Sequence, residues 1–153
     1  MIPQISQAPG LVQLVLTFLE SLKEQGFTGD MATSYADRLS LSTDNSIYQL
    51  LPDAALFPRS TADVALLARV AGEARFASLV FTPRGGGTGT NGQSLNQGIV
   101  VDMSRYMNRI LEINTDEGWV RVEAGVIKDQ LNAWLKPFGF FFSPELSTSN
   151  RAT

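Results

Sequence analysis

Apolar positions recur along this chain with two different periods, and the switches between them mark out the elements. Near the N-terminus, the run Leu11-Val12-Gln13-Leu14-Val15-Leu16-Thr17-Phe18-Leu19 puts Leu11, Val15, Phe18 and Leu22 on one helical face. Pro9 suits the first turn of that helix, and Gly26 followed by Phe27 fits a glycine C-cap with its hydrophobic contact. A second helix is expected after Ser60, where Asp63 three residues on resembles a capping box and Val64, Leu67, Ala68 and Ala71 repeat until Gly72. A third runs from about Val126 to Leu135, with Leu131 and Leu135 inward. Short apolar runs at 54–57, 78–82 and 98–101 read as strands. Residues 109–114 and 119–123 alternate with period two around Thr115-Asp116-Glu117-Gly118, which predicts a hairpin.

Strand, helix, strand from 54 to 82 is a βαβ unit, so its strands should be parallel with a right-handed crossover. The predicted class is therefore α+β, a small parallel βαβ unit plus hairpin strands with flanking helices. Between Thr28 and Asn45 the chain turns polar, with Gly29-Asp30 and Ser42-Thr43-Asp44-Asn45 as turn or cap signals. We read residues 1–49 as a helical lead-in and 50–153 as the domain proper. Within that boundary Asp44 reads as a local cap and Tyr48 as a half-buried packing residue.

Composition narrows the function. At 153 residues the chain can form one domain with a sizeable core. A net charge of −3 leaves no basic footprint, which argues against nucleic acid as a partner. Without cysteine or histidine, thiolate chemistry, a histidine base and histidine metal ligands are excluded. The N-terminal apolar run lacks a preceding Lys or Arg and is closed by Glu20, so it fits neither an export signal nor a span of about 20 residues. Packing of its apolar face on the domain is expected, with docking on a partner or membrane surface as the alternative.

The candidate chemistry sits at Pro83-Arg84-Gly85-Gly86-Gly87-Thr88-Gly89-Thr90-Asn91-Gly92-Gln93-Ser94, which holds five of the thirteen glycines within eight positions. Such density implies positive φ or close approach of the backbone to another group. Bare N–H groups, the hydroxyls of Thr88 and Thr90 and the Arg84 cation suit a polyphosphate. Gly87 to Gly92 spell GxGxxG, but that fingerprint should open a helix, and a strand-like run follows instead. Gln93 stands where a P-loop needs its lysine, so NTP hydrolysis is rejected. What remains is a strand-loop-strand glycine turn, or a long β-connection with no ligand.

With its preceding proline, Arg84-Gly85-Gly86-Gly87-Thr88-Gly89 resembles the pyrophosphate loop of the FAD-binding PCMH-type domain of vanillyl-alcohol-oxidase-like flavoenzymes. Within that superfamily, residues 42–153 look most like the FAD-linked D-2-hydroxy-acid dehydrogenases, in particular the long bacterial D-2-hydroxyglutarate dehydrogenase-like members. The resemblance implies the first lobe of such a domain. Backbone groups at Arg84, Gly85, Gly86, Gly87, Thr88, Gly89 and Thr90 would hold the FAD pyrophosphate, helped by Ser94. Pro144, Leu146, Thr148 and Asn150 would begin the wall near the ribityl chain. No catalytic or metal-binding residue is expected here. Some relatives attach flavin to a histidine where this chain has Thr88, so the FAD would be non-covalent.

The same resemblance implies that the chain stops before the second half of the FAD site. It would then be inactive alone, and a missing C-terminal lobe would be its partner. The aromatic run Phe138-Gly139-Phe140-Phe141-Phe142 would face that lobe, leaving self-association or a loose tail. The implied activity is cytoplasmic oxidation of a small D-2-hydroxy acid through hydride transfer to flavin. A relative that reduces a sugar-nucleotide enoyl group shares the fold. A stand-alone nucleotide-binding module and an interaction domain without redox activity are the alternatives outside the enzyme class.

Overall fold

The computed structural model of the protein describes residues 12–153. The first helix, α1 (Gln13–Glu24), buries Val15, Phe18, Leu19 and Leu22. The Gly26 N–H donates to the Lys23 carbonyl at 3.1 Å and the Phe27 N–H to the Leu22 carbonyl at 3.0 Å. These are the paired bonds of a Schellman cap, and Gly26 takes the positive φ of 90° that the cap requires. The apolar face of α1 packs on the domain, where Phe18 meets the Phe76 ring edge-on at 5.1 Å. The expected start of this helix, at Pro9 and Leu11, lies outside the described residues.

Four strands, β1 (Asp30–Ala32), β2 (Ala54–Phe57), β3 (Phe81–Arg84) and β4 (Ile99–Asp102), form one sheet in the order β1-β2-β4-β3. The expected strand-helix-strand unit is present as β2, α3 (Thr61–Ala71) and β3, following the short helix α2 (Tyr35–Ser40). Its two strands are not neighbours, however. β4 lies between them and pairs parallel with both. Ala54, Leu56, Ile99 and Val101 point into the core with α1 and α3, while Ala55, Phe57 and Val100 bury against Leu41 and Tyr106 on the other face. Both faces are covered, which explains why β2 and β4 read as unbroken apolar runs.

Several boundaries differ from the sequence expectation for local reasons. The strand expected at 78–82 begins at Phe81, because the Leu79 N–H is used in a turn to the Phe76 carbonyl at 2.9 Å. It runs on through Pro83, which the sheet tolerates because β3 is an edge strand. On α3 the inward face is carried by Leu67 and Val70, and Ala68 is exposed. Residues 30–32, within the polar stretch before residue 50, pair antiparallel with β2. The anchor is Asp63, which accepts the Thr28 N–H and hydroxyl at 2.8 Å each and the Arg59 N–H at 2.9 Å. Ser60 accepts the Asp63 N–H at 3.2 Å, the forward half of a capping box.

The hairpin β5 (Ile110–Asn114) and β6 (Trp119–Val122) forms a separate two-stranded sheet, with a bulge between Ile110 and Glu112. Ile110, Ile113, Val120 and Val122 pack on Val126, Leu131 and Leu135 of the α4 (Lys128–Leu135) region. Glu123 ties the hairpin's base, accepting from the Arg109 N–H at 2.9 Å and from its guanidinium. Gly125 turns the chain into α4. Its N–H donates to the Met107 carbonyl at 2.7 Å, and a Cβ there would sit 2.7 Å from the same oxygen, so close packing requires this glycine.

Candidate functional site

The glycine-rich stretch leaves the end of β3 and returns as β4, with no helix between them. The dinucleotide-fingerprint reading fails on this geometry, since it needs a helix N-terminus facing the phosphates. Gly87 at φ 63° and Gly92 at φ 76° are the two positions of the loop in the left-handed region.

What crowds the glycines is largely the chain itself. A Cβ at Gly85 would collide with the Thr153 hydroxyl, and one at Gly86 with the Arg151 carbonyl. At Gly87 a Cβ would strike the Arg84 guanidinium, and at Gly89 it would reach within 2.5 Å of the Gln93 amide carbon. The Tyr48 ring lies beside Gly92, 3.0 Å from where a Cβ would stand. Tyr48 packs there, but at 55% exposure it is more open than the half-buried residue expected from the sequence.

Arg84 does not point its charge at the open side of the loop. Its guanidinium is buried behind Gly87, donating to the Thr43 carbonyl at 2.8 Å, the Leu41 carbonyl at 3.4 Å and the Ser94 hydroxyl at 3.4 Å. Burial pulls the Arg84 pKa below the usual arginine range, the carboxylates of Asp102 and Asp44 partly offset it, and the nearby Arg151 charge adds to it. Ser94 is likewise buried and donates to Asp44 at 3.0 Å. Asp44 also accepts the Ser46 N–H at 2.8 Å, the local cap expected of it. Burial opposes its ionisation, yet hydrogen bonds from Ser46 and Ser94 and the Arg84 charge hold its pKa below the usual carboxylate value.

On the opposite side the loop opens onto a cleft of about 290 Å³ lined by Pro83, Gly85–Gly89 in sequence, Gln93, Ser94 and Thr153. Among the described residues no acceptor takes the N–H groups of residues 85–90. Unpaired backbone donors in a concave site are costly unless water or a ligand accepts from them. A run of them presents the partial positive charge of an anion nest. The donor set suits a pyrophosphate, and Thr88 is among the lining residues. Thr90 is exposed and stands outside the lining.

The C-terminal residues singled out from the sequence are not in this cleft. Pro144 and Leu146 are exposed, and Thr148 heads a turn whose carbonyl accepts from the Arg151 and Ala152 N–H groups at 2.9 Å. Asn150 is exposed on the same turn. The turn covers the start of α4, where the Lys128 N–H donates to the Ala152 carbonyl at 2.9 Å and the Asp129 N–H to the Ser149 carbonyl at 3.2 Å. The cation that does reach the loop is Arg151, donating to the Gly86 carbonyl at 3.0 Å. Sequence reasoning passed over Arg151 because 65 residues separate it from Gly86 and no local pattern links them. Phe138, Phe140, Phe141 and Phe142 are exposed, the last three bordering a small apolar hollow of about 100 Å³ against the hairpin.

The FAD binding domain family matches residues 52–153. D-2-hydroxyglutarate dehydrogenase of Pantoea ananatis is 89% identical over 153 residues, and that of Escherichia coli 81%, each match covering 100% of this chain. The chain spans 15% of the length of these relatives. Among solved structures, 4-ethylphenol oxidase from Gulosibacter chungangensis superposes with a TM-score of 0.67 at 19% identity, covering 86% of this chain and 26% of that one. An alkyldihydroxyacetonephosphate synthase gives a TM-score of 0.71 at 20% identity, over 90% of this chain and 28% of that one. At such identities the structural matches speak for the fold alone, an α+β arrangement of a sheet with parallel strands, a separate hairpin and flanking helices. With two thirds of its residues matched, the chain belongs to the FAD binding domain family.

Proposed function

We propose that this chain is the pyrophosphate-holding lobe of a flavin-dependent oxidoreductase that oxidises a D-2-hydroxy acid, D-2-hydroxyglutarate foremost, to the 2-oxo acid. The observation that carries the reading is the cleft beside β3, lined by residues 85–89, whose backbone N–H groups have no acceptor among the described residues. Relatives named D-2-hydroxyglutarate dehydrogenase support the substrate class. When bound, FAD supplies the hydride acceptor. The chain's own residues bind and orient. The amides of Gly85, Gly86, Gly87, Gly89 and Thr90, with the amide and hydroxyl of Thr88, hold the pyrophosphate, each bond to a charged oxygen contributing ~1.5 to 3 kcal/mol. Arg84 acts from behind, tying the loop to the Leu41 and Thr43 carbonyls, and Ser94, bonded to Arg84 and Asp44, lines the cleft and helps hold the pyrophosphate. Pro144, Leu146, Thr148 and Asn150 begin the wall beside the ribityl chain.

Residues 50–153 form this lobe and the residues before 50 are its lead-in, of which the described residues 12–49 pack on it. Attachment of flavin within the lobe is non-covalent, since the sequence offers neither histidine nor cysteine. The exposed aromatic residues 140–142 meet polypeptide of the longer protein and favour self-association without it. No helix of the described residues is long and apolar enough to cross a membrane, and we place the activity in the cytoplasm. The test is to purify the full-length protein, measure its flavin content and assay D-2-hydroxyglutarate oxidation with a dye acceptor. Yellow protein with turnover is expected. Full-length protein that is folded, colourless and unable to take up FAD would refute the proposal.

A further inference from the structure

The segment 145–153 touches two units at once. Toward α4, its carbonyls at Ser149 and Ala152 accept the first N–H groups of the helix, and Glu145 stands 3.6 Å from the ammonium of the buried Lys128. Toward the cleft, the Arg151 guanidinium donates to the Gly86 carbonyl, and the backbone at 151 and the side chain at 153 press on the Cα positions of Gly86 and Gly85. A single tight turn, closed by the Thr148 carbonyl, joins the two contacts.

We propose that residues 145–153 act as a strap that sets the pyrophosphate loop, and that Arg151 is its positioning residue. By holding the Gly86 carbonyl, Arg151 fixes the Gly86–Gly87 peptide unit and with it the direction in which the Gly87 N–H points. A peptide plane cannot show its carbonyl and its N–H to the same side. Gly85 and Gly86 then lack side chains for the sake of the strap, and only indirectly for the ligand. Lys128 fastens the far end of the strap through Glu145. This inference rests on the proposed pyrophosphate site.

The experiment takes the chain, its Arg151→Ala and Arg151→Lys variants and Lys128→Met. It measures backbone amide order parameters of residues 85–90, hydrogen exchange of the Lys128 and Asp129 amides, and the Kd for ADP. Arg151→Ala should lower the order parameters at Gly86 and Gly87 from rigid to flexible values. It should also speed exchange at Lys128 and Asp129 and weaken ADP about tenfold, with Arg151→Lys in between. Lys128→Met should speed exchange at the same two amides and weaken ADP less. If Arg151→Ala weakens ADP while order and exchange match the parent, Arg151 contacts the ligand directly and the strap is wrong. Unchanged order, exchange and affinity would overturn it as well. Should the parent chain itself fail to bind ADP, the pyrophosphate reading falls, and order and exchange still decide the strap.

Discussion

Replacing Gly87 with alanine strains the loop in two separable ways. The first is the backbone, because a left-handed conformation at φ 63° costs a residue with a Cβ about 1 to 2 kcal/mol. The second is contact. The new Cβ would stand 2.9 Å from Cζ of Arg84, whose guanidinium cannot retreat without leaving the Thr43 carbonyl. Losing that charged hydrogen bond adds ~1.5 to 3 kcal/mol. Together the two amount to about 2.5 to 5 kcal/mol, or a fall in Tm of roughly 5 to 20 °C for a chain of this size. Gly118 provides the control, since it has φ 71° and nothing within 4 Å of a Cβ. Gly118→Ala carries the backbone cost of ~1 to 2 kcal/mol alone. If displacing the loop also removes two N–H bonds to phosphate, ADP binding weakens by ~3 to 6 kcal/mol, a factor of about 10² to 10⁴. Thermal unfolding and calorimetric titration of both variants decide the matter. The reasoning fails if Gly87→Ala melts with Gly118→Ala and binds ADP like the parent.

Other outcomes follow from the same structure. Asp63→Ala strands the Thr28 and Arg59 donors and should cost about 2 to 4 kcal/mol in chemical denaturation. Burial acts to raise the Asp63 pKa, but the bonds from Thr28, Arg59 and Ser60 outweigh it, so the folded value lies below the usual carboxylate range. Its contribution is thus complete above the unfolded pKa of about 3.9 and disappears as pH falls through the lower folded value. Stability measured from pH 6 downward should show that acid loss in the parent and much less of it in Asp63→Ala. Acid precipitation of flavin-loaded full-length protein should release all flavin to the supernatant; a yellow peptide from this segment would contradict non-covalent binding.

The local signals in the sequence were faithful where the structure is local. The Gly26 cap, the Ser60 box and the hairpin about residues 115–118 are set by neighbours a few residues apart, and each stands where the pattern put it. The strand-loop-strand character of the glycine stretch was legible for the same reason. Non-local pairing was not. That β4 enters between β2 and β3, or that residues 30–32 add a strand, depends on register with partners tens of residues away. The direction of the Arg84 side chain was hidden too, because a cation beside a glycine loop can face a ligand or the carbonyls behind it, and only burial distinguishes the two. Arg151 illustrates the same limit, since its partner Gly86 is remote in the chain.

The central claim is that the glycine loop holds a pyrophosphate, and parallel titration of this chain with FAD, ADP and riboflavin tests it most directly. FAD and ADP share the pyrophosphate and adenosine, whereas riboflavin has neither. The account predicts comparable Kd values for FAD and ADP, no detectable riboflavin binding, and resonance shifts centred on Gly85 to Thr90. Riboflavin binding as tightly as FAD, or ADP leaving those resonances unmoved at saturating concentration, would contradict it.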